Sequence, residues 1–139
     1  MILIDSNVMI DMLDEAGEWK SWSTEAVADA GADHELAITP VVVAEVSPQA
    51  GSLENFLGGI ERLGVTVSDL SNEGAYSAGV AFNAYRQRRR AGGEKARAII
   101  ADFLIGGQAL VLGATIITRD PRFYRTYFPT VPLITPETI

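Results

Sequence analysis

The chain has 139 residues, 47% of them hydrophobic and 21% charged, which suits one domain over residues 1–139 with an ordinary buried core. It has no cysteine and one histidine, which excludes disulfides, a Cys/His zinc site and a cysteine nucleophile. The net charge of −7 argues against nonspecific binding to nucleic acid. No apolar run reaches the ~18 residues of a membrane span. Asp5 breaks the first apolar run and no basic stretch precedes it, so the N-terminus does not read as a signal peptide and a cytoplasmic protein is expected.

The predicted elements alternate. Residues 1–5 form a short buried strand, and Ser6-Asn7 cap a helix through Val8, Ile10, Met12 and Leu13. A polar helix follows over 18–30, with Trp19, Trp22, Ala26 and Val27 on one face. Leu36-Ala37-Ile38 is a second strand, after which Thr39 caps a helix with Pro40 at its first position. A helix over 53–63 ends near Gly64, and Val65-Thr66-Val67 is a third strand. Ser71 or Asn72 caps a long helix that runs to Gly92-Gly93. A further helix runs from about 94 to Leu112 and stops at Gly113. Strands over 114–118 and 131–134 close the series. Strands separated by helices imply right-handed crossovers and a parallel sheet, whose ligands bind beyond the strand carboxyl ends.

Four carboxylates stand at awkward places in this pattern. Asp5 and Asp120 lie just past two strands, and Glu45 and Asp102 sit inside otherwise apolar helical stretches. Acidic side chains are rarely buried unless paired or bound to a metal. Each alone could be a cap, a turn or half of an ion pair; together they suggest one site of oxygen ligands. Clustered carboxylates repel, and a divalent cation relieves that. An all-oxygen donor set favours Mg²⁺ or Mn²⁺, as one or two ions, and the matching chemistry is phosphodiester hydrolysis. His34, between Asp33 and Glu35, reads as a solvated loop residue.

Nine of the eleven cations lie between residues 86 and 125. They are Arg86, Arg88, Arg89, Arg90, Lys95, Arg97, Arg119, Arg122 and Arg125, opposed there only by Glu94, Asp102 and Asp120. This is either a solvated helix end and turn or a docking region for a polyanion, with Arg86, Arg89, Arg90, Arg119 and Arg122 as candidate RNA contacts. In the tail 122–128, Phe123 and Phe128 are expected in the core, with the arginines and some tyrosines exposed.

Four blocks in order carry a family resemblance: Ile2-Leu3-Ile4-Asp5-Ser6-Asn7-Val8, then the segment from Ile38 through Glu45 to Val46, then Ala101-Asp102-Phe103-Leu104-Ile105-Gly106-Gly107-Gln108-Ala109, then Ile116-Ile117-Thr118-Arg119-Asp120 with Phe123 beyond. The chain resembles the PIN-domain family over essentially its whole length, and within it the VapC-type toxins of toxin–antitoxin pairs. The resemblance implies an α/β/α sandwich about a mostly parallel sheet, and a metal-dependent ribonuclease that cleaves cellular RNA to stop translation. It implies that Asp5, Glu45, Asp102 and Asp120 hold metal and water, with Asn7 and Thr118 in support. A homodimer restrained by a small antitoxin is implied by the family alone. Trp19 and Trp22 are either core or part of an antitoxin groove or dimer face. Gly106-Gly107 stands where alanines are common in the family and is expected to loosen the helix near Asp102.

Two other readings compete. A PIN-like fold could serve as a silent interaction module. A haloacid-dehalogenase-type phosphatase would need a second Asp where Asn7 stands and a lysine better placed than Lys95.

Overall fold

The computed structural model describes residues 1–92 and 100–137. Five strands, β1 (Ile2–Ile4), β2 (Leu36–Ile38), β3 (Val65–Val67), β4 (Thr115–Ile117) and β5 (Leu133–Ile134), form one sheet in the order β3-β2-β1-β4-β5. Every pairing is parallel, with Leu3 opposite Ala37 on one side and Ile116 on the other. Helices sandwich this sheet as an α/β/α fold: α1 (Ser6–Leu13), α2 (Lys20–Asp33), α3 (Pro40–Val46), α4 (Leu53–Arg62), α5 (Asn72–Ala91), α6 (Ile100–Leu112) and α7 (Pro121–Tyr127).

The central strand is buried on both faces, so β1 and β2 are apolar without alternation. From β1 the chain builds outward to β2 and β3, then returns to place β4 on the opposite side of β1. The strand order therefore reverses between β1 and β4, and a crevice forms beyond their carboxyl ends. Asp5 and Thr118 are the residues that leave those two strands.

Three sequence expectations are corrected. The first helix is capped by Asp5, whose carboxylate accepts from the Ser6 N–H, rather than by Ser6-Asn7. Pro121–Tyr127 is a helix where only a turn and an aromatic tail were expected; Pro121 starts it because its fixed φ suits the first helical position. Gly106 and Gly107 do not loosen α6. Gly106 lies under the Phe128 ring, and a Cβ on Gly107 would stand 2.5 Å from the Gly74 carbonyl oxygen and 2.6 Å from the Ala78 nitrogen of α5. The pair lets α6 press against the backbone of α5. Of the helix expected from residue 94, the part over 94–99 lies outside the described residues, as do Glu94, Lys95 and Arg97.

Two contacts fix this helix pair. The buried Gln108 side chain accepts from the Ser71 N–H at 2.9 Å and from its hydroxyl at 3.1 Å, while Ser71 Oγ accepts from the Gly74 N–H and caps α5. Phe103 of α6 lies at the centre of an aromatic cluster with Phe82, Tyr85, Phe123, Tyr127 and Phe128. That cluster anchors the turn carrying Asp102.

The close approach predicts opposite outcomes for two Gly→Ala changes. Gly107→Ala forces the helices apart and should lower stability by about 1–3 kcal/mol. Gly58→Ala, on α4 with open space around its Cβ, should raise it by about 0.5–1 kcal/mol. Urea midpoints at constant slope would test both, and equal effects would refute the close-approach argument.

Candidate active site

Asp5 is the buried centre of the crevice, 4% exposed. Its backbone N–H donates to the Ile117 carbonyl and extends the β1–β4 ladder by one step. Its carboxylate accepts from the Ser6 N–H at 2.8 Å, the Thr118 hydroxyl at 2.7 Å and the Tyr124 hydroxyl at 3.1 Å. Burial raises its pKa above the ordinary value, Glu45 adds to the rise, and the three hydrogen bonds oppose it. The Tyr124 phenol is held well above its usual pKa by its own burial and by the charges of Asp5 and Asp102, so it remains a donor.

The hydroxyl of Thr118 is used fully. It donates to Asp5, accepts from the Asp120 N–H at 3.0 Å and accepts from Asn7 Nδ2 at the long limit of 3.5 Å. Asn7 Oδ1 takes the Arg119 N–H at 3.2 Å. Asn7 and Thr118 thus tie the start of α1 to the loop after β4, and that loop carries Asp120. Glu45 arrives on α3, where Ser6 Oγ donates to its Oε1 at 2.7 Å.

Asp102 lies in the first turn of α6 and is half-buried. Its pKa is pushed up to about 6, first by burial and then by the charges of Asp5, Glu45 and Asp120. All four carboxylates line one cavity of about 230 Å³, with Asn7, Phe123 and Tyr124. Burial differs among them. Glu45 was expected on a buried helix face, yet Glu45 and Asp120 are exposed at the mouth because α3 turns its Val42 and Val46 to the core instead.

Among the described residues, no three Asp, Glu, His or Cys side chains stand in metal-holding geometry. Asp5 is held by neutral donors, and Glu45 and Asp120 stand exposed at the mouth of the cavity. The residues fit a hard divalent cation: four carboxylates line one cavity, so the donors are all carboxylate oxygens.

Reasoning from sequence missed Asp11 and Tyr124. Asp11, 7% exposed on α1, pairs through both carboxylate oxygens with the Arg119 guanidinium, Nη2 at 2.9 Å, and accepts from Ser23 Oγ at 2.7 Å. Arg119 also lies 5.2 Å from the Trp19 ring centroid. Arg119, expected among the RNA contacts, is committed to this clamp, which stands beside Asp120. An acidic residue inside the apolar run from Val8 to Leu13 was the available signal for Asp11. Tyr124 is 1% exposed; the sequence put some of the tail tyrosines at the surface without distinguishing which, and the helical spacing 120–124 was the missed cue. Trp22 is half-buried against the core, edge-on to Trp19. Arg86, Arg90 and Arg122 are exposed, and Arg89 is half-buried against Tyr85.

The sequence profile of the PIN domain family matches residues 2–129. The chain belongs to the PIN domain family. Solved structures share its fold. A toxin–antitoxin complex from Klebsiella pneumoniae contains a chain 20% identical, with a TM-score of 0.65 and 100% of each chain covered. VapBC-1 from nontypeable Haemophilus influenzae is 19% identical with a TM-score of 0.64, covering 97% of this chain and 98% of that one. VapBC2 from Rickettsia felis, bound to a DNA fragment from its promoter, is 20% identical with a TM-score of 0.62, again covering 97% and 98%. No curated protein matches the sequence. Among the described residues of this PIN domain, no helix is long and apolar enough to cross a membrane.

The position of Asp102 yields a pH prediction for the metal-free protein. Its folded pKa lies above the unfolded value of 3.8, so the native state takes up the proton first as pH falls. Stability attributable to Asp102 is therefore greatest below about pH 4 and is lost as pH rises through about 6. Asp102→Asn removes that loss. In EDTA it should melt above the parent near pH 7.5, with the gap closing towards pH 4.5. A gap independent of pH would show that neither burial nor the other carboxylates shift Asp102.

Proposed function

We propose that this PIN domain is a divalent-metal-dependent endoribonuclease and the toxin of a VapC-type toxin–antitoxin pair. The observation that carries the reading is the meeting of Asp5, Glu45, Asp102 and Asp120 in one cavity, where burial and then the charges of the other three raise the pKa of Asp102. The structural likeness to VapBC and other toxin–antitoxin complexes supports the biological setting.

Mg²⁺ or Mn²⁺, as one or two ions held by these four side chains, would supply a bound water of lowered pKa and positive charge beside the phosphate. The chain's own residues do the rest. Thr118, Ser6 and Tyr124 hold the Asp5 oxygens in place, so the most buried ligand needs no reorganisation. Ser6 Oγ occupies Oε1 of Glu45 and leaves Oε2 for the site. Asn7 and Thr118 set the path of the loop that presents Asp120. The half-buried Phe123 forms an apolar wall that sheds water from one side of the cavity. A cognate antitoxin and a homodimer complete the reading, in keeping with the family resemblance and with a cytoplasmic site of action.

The test is cleavage of mixed cellular RNA by the purified protein in Mg²⁺, Mn²⁺ or EDTA, beside Asp102→Asn. Discrete fragments should require metal and fall by about 10²-fold or more in the variant. Saturating Mn²⁺ should raise the parent's melting temperature and leave that of the variant nearly unchanged. Cleavage by Asp102→Asn at the parent's rate would remove Asp102 from the machinery, and folded protein that cuts no RNA would favour a silent interaction module.

A further inference from the structure

A second cavity, of opposite charge, adjoins the carboxylate site. Tyr85, Arg88, Arg89, Gly92 and Tyr127 line about 270 Å³ at the carboxyl end of α5, with no acidic residue among the described lining. The Arg88 guanidinium stands 5.7 Å from the Tyr127 ring centroid, and that of Arg89 5.7 Å from Tyr85. Arg88 is exposed, Tyr127 half-buried and Tyr85 buried, so Arg88 and Tyr127 are the groups a ligand would meet.

The two cavities share a wall of rings. Phe123 lines the carboxylate cavity, and its centroid is 5.3 Å from that of Tyr127. Phe103, the neighbour of Asp102, is 5.2 Å from Tyr127. This ring contact joins the linings of the two cavities, and an extended strand could follow it from one to the other. Charge adds direction: on a chain of net charge −7, Arg86, Arg88 and Arg90 of α5 and Arg122 of α7 are exposed cations that attract a polyanion.

We propose that the Arg88–Tyr127 cavity is a nucleotide subsite of the nuclease. Arg88 binds a backbone phosphate, and Tyr127 stacks on the base of an unpaired nucleotide close to the scissile bond. A guanidinium beside an aromatic face is the common means of holding single strands, and it tolerates sequence because every base has a π-face. A base still stacked in a duplex cannot enter, so the subsite selects single-stranded RNA around the cut. The proposal rests on the ribonuclease reading above and adds a recognition element away from the four carboxylates.

The test uses the full chain and a short single-stranded RNA containing the cut site, with abasic sugars placed one position at a time around the cut. Arg88→Gln, exposed on its helix, should keep the parent's melting temperature. It should raise KM about tenfold with kcat held, and lower the salt slope of log(kcat/KM) by about 0.7, the loss of one phosphate contact. One abasic position should cost the parent about tenfold in KM. It should cost Tyr127→Phe as much and Tyr127→Leu nothing further. Unchanged KM and salt slope in Arg88→Gln, with an active parent, would overturn the subsite and leave the nuclease standing. Failure of the parent to cut any RNA would overturn both.

Discussion

Burial of the Asp5 carboxylate is the constraint from which the site follows. A carboxylate placed at the end of the central strand of a parallel sheet is cut off from water and must be met by donors. Those donors come from three places: the Ser6 N–H at the start of α1, the Thr118 hydroxyl after β4, and the Tyr124 hydroxyl on α7. Folding the sheet so that β4 lies beside β1 brings them together. The result is an enclosed, hydrogen-bonded carboxylate at the switch point of the sheet, and Glu45, Asp102 and Asp120 line the same cavity.

Charge is segregated at two scales. Within the cavity, Asp102 is held above the ordinary carboxylate range, first by burial and then by the charges of Asp5, Glu45 and Asp120. Outside it, positive charge is handled in two ways. Arg119 is drawn to buried Asp11 and the Trp19 ring, where it braces the loop after β4. The arginines of α5 instead stand along aromatic faces, Arg86 by Phe82 and Arg88 by Tyr127. The same aromatic cluster thus packs the core on one side and presents a basic, ring-lined cavity on the other.

Much of the fold is legible in the residues because its signals are local. The apolar runs at 2–4 and 115–117 cannot be solvated, and the cap at Ser71 announces its helix through a side-chain oxygen that accepts a backbone N–H. The α7 helix was less legible. Its seven residues are too few to show a helical period, and Phe, Tyr and Arg occur as readily in a binding tail as on an amphipathic face. Gly106-Gly107 misled for a related reason: glycine reads as a helix weakener until the neighbouring backbone that it admits is known.

By itself the sequence determined the alternation of elements and the parallel sheet, and it singled out four carboxylates by their places at strand ends and within apolar helical stretches, where an acid calls for a reason. Only the tertiary structure decided how unequal those acids are. Asp5 is enclosed, Asp102 half-buried and Glu45 and Asp120 exposed, since exposure depends on which face of each helix meets the sheet. It also decided that Asp11 belongs to Arg119 and Tyr124 to Asp5, pairs 108 and 119 residues apart. Contacts at that separation arise from the crossover of the chain through the sheet, and no local pattern encodes them.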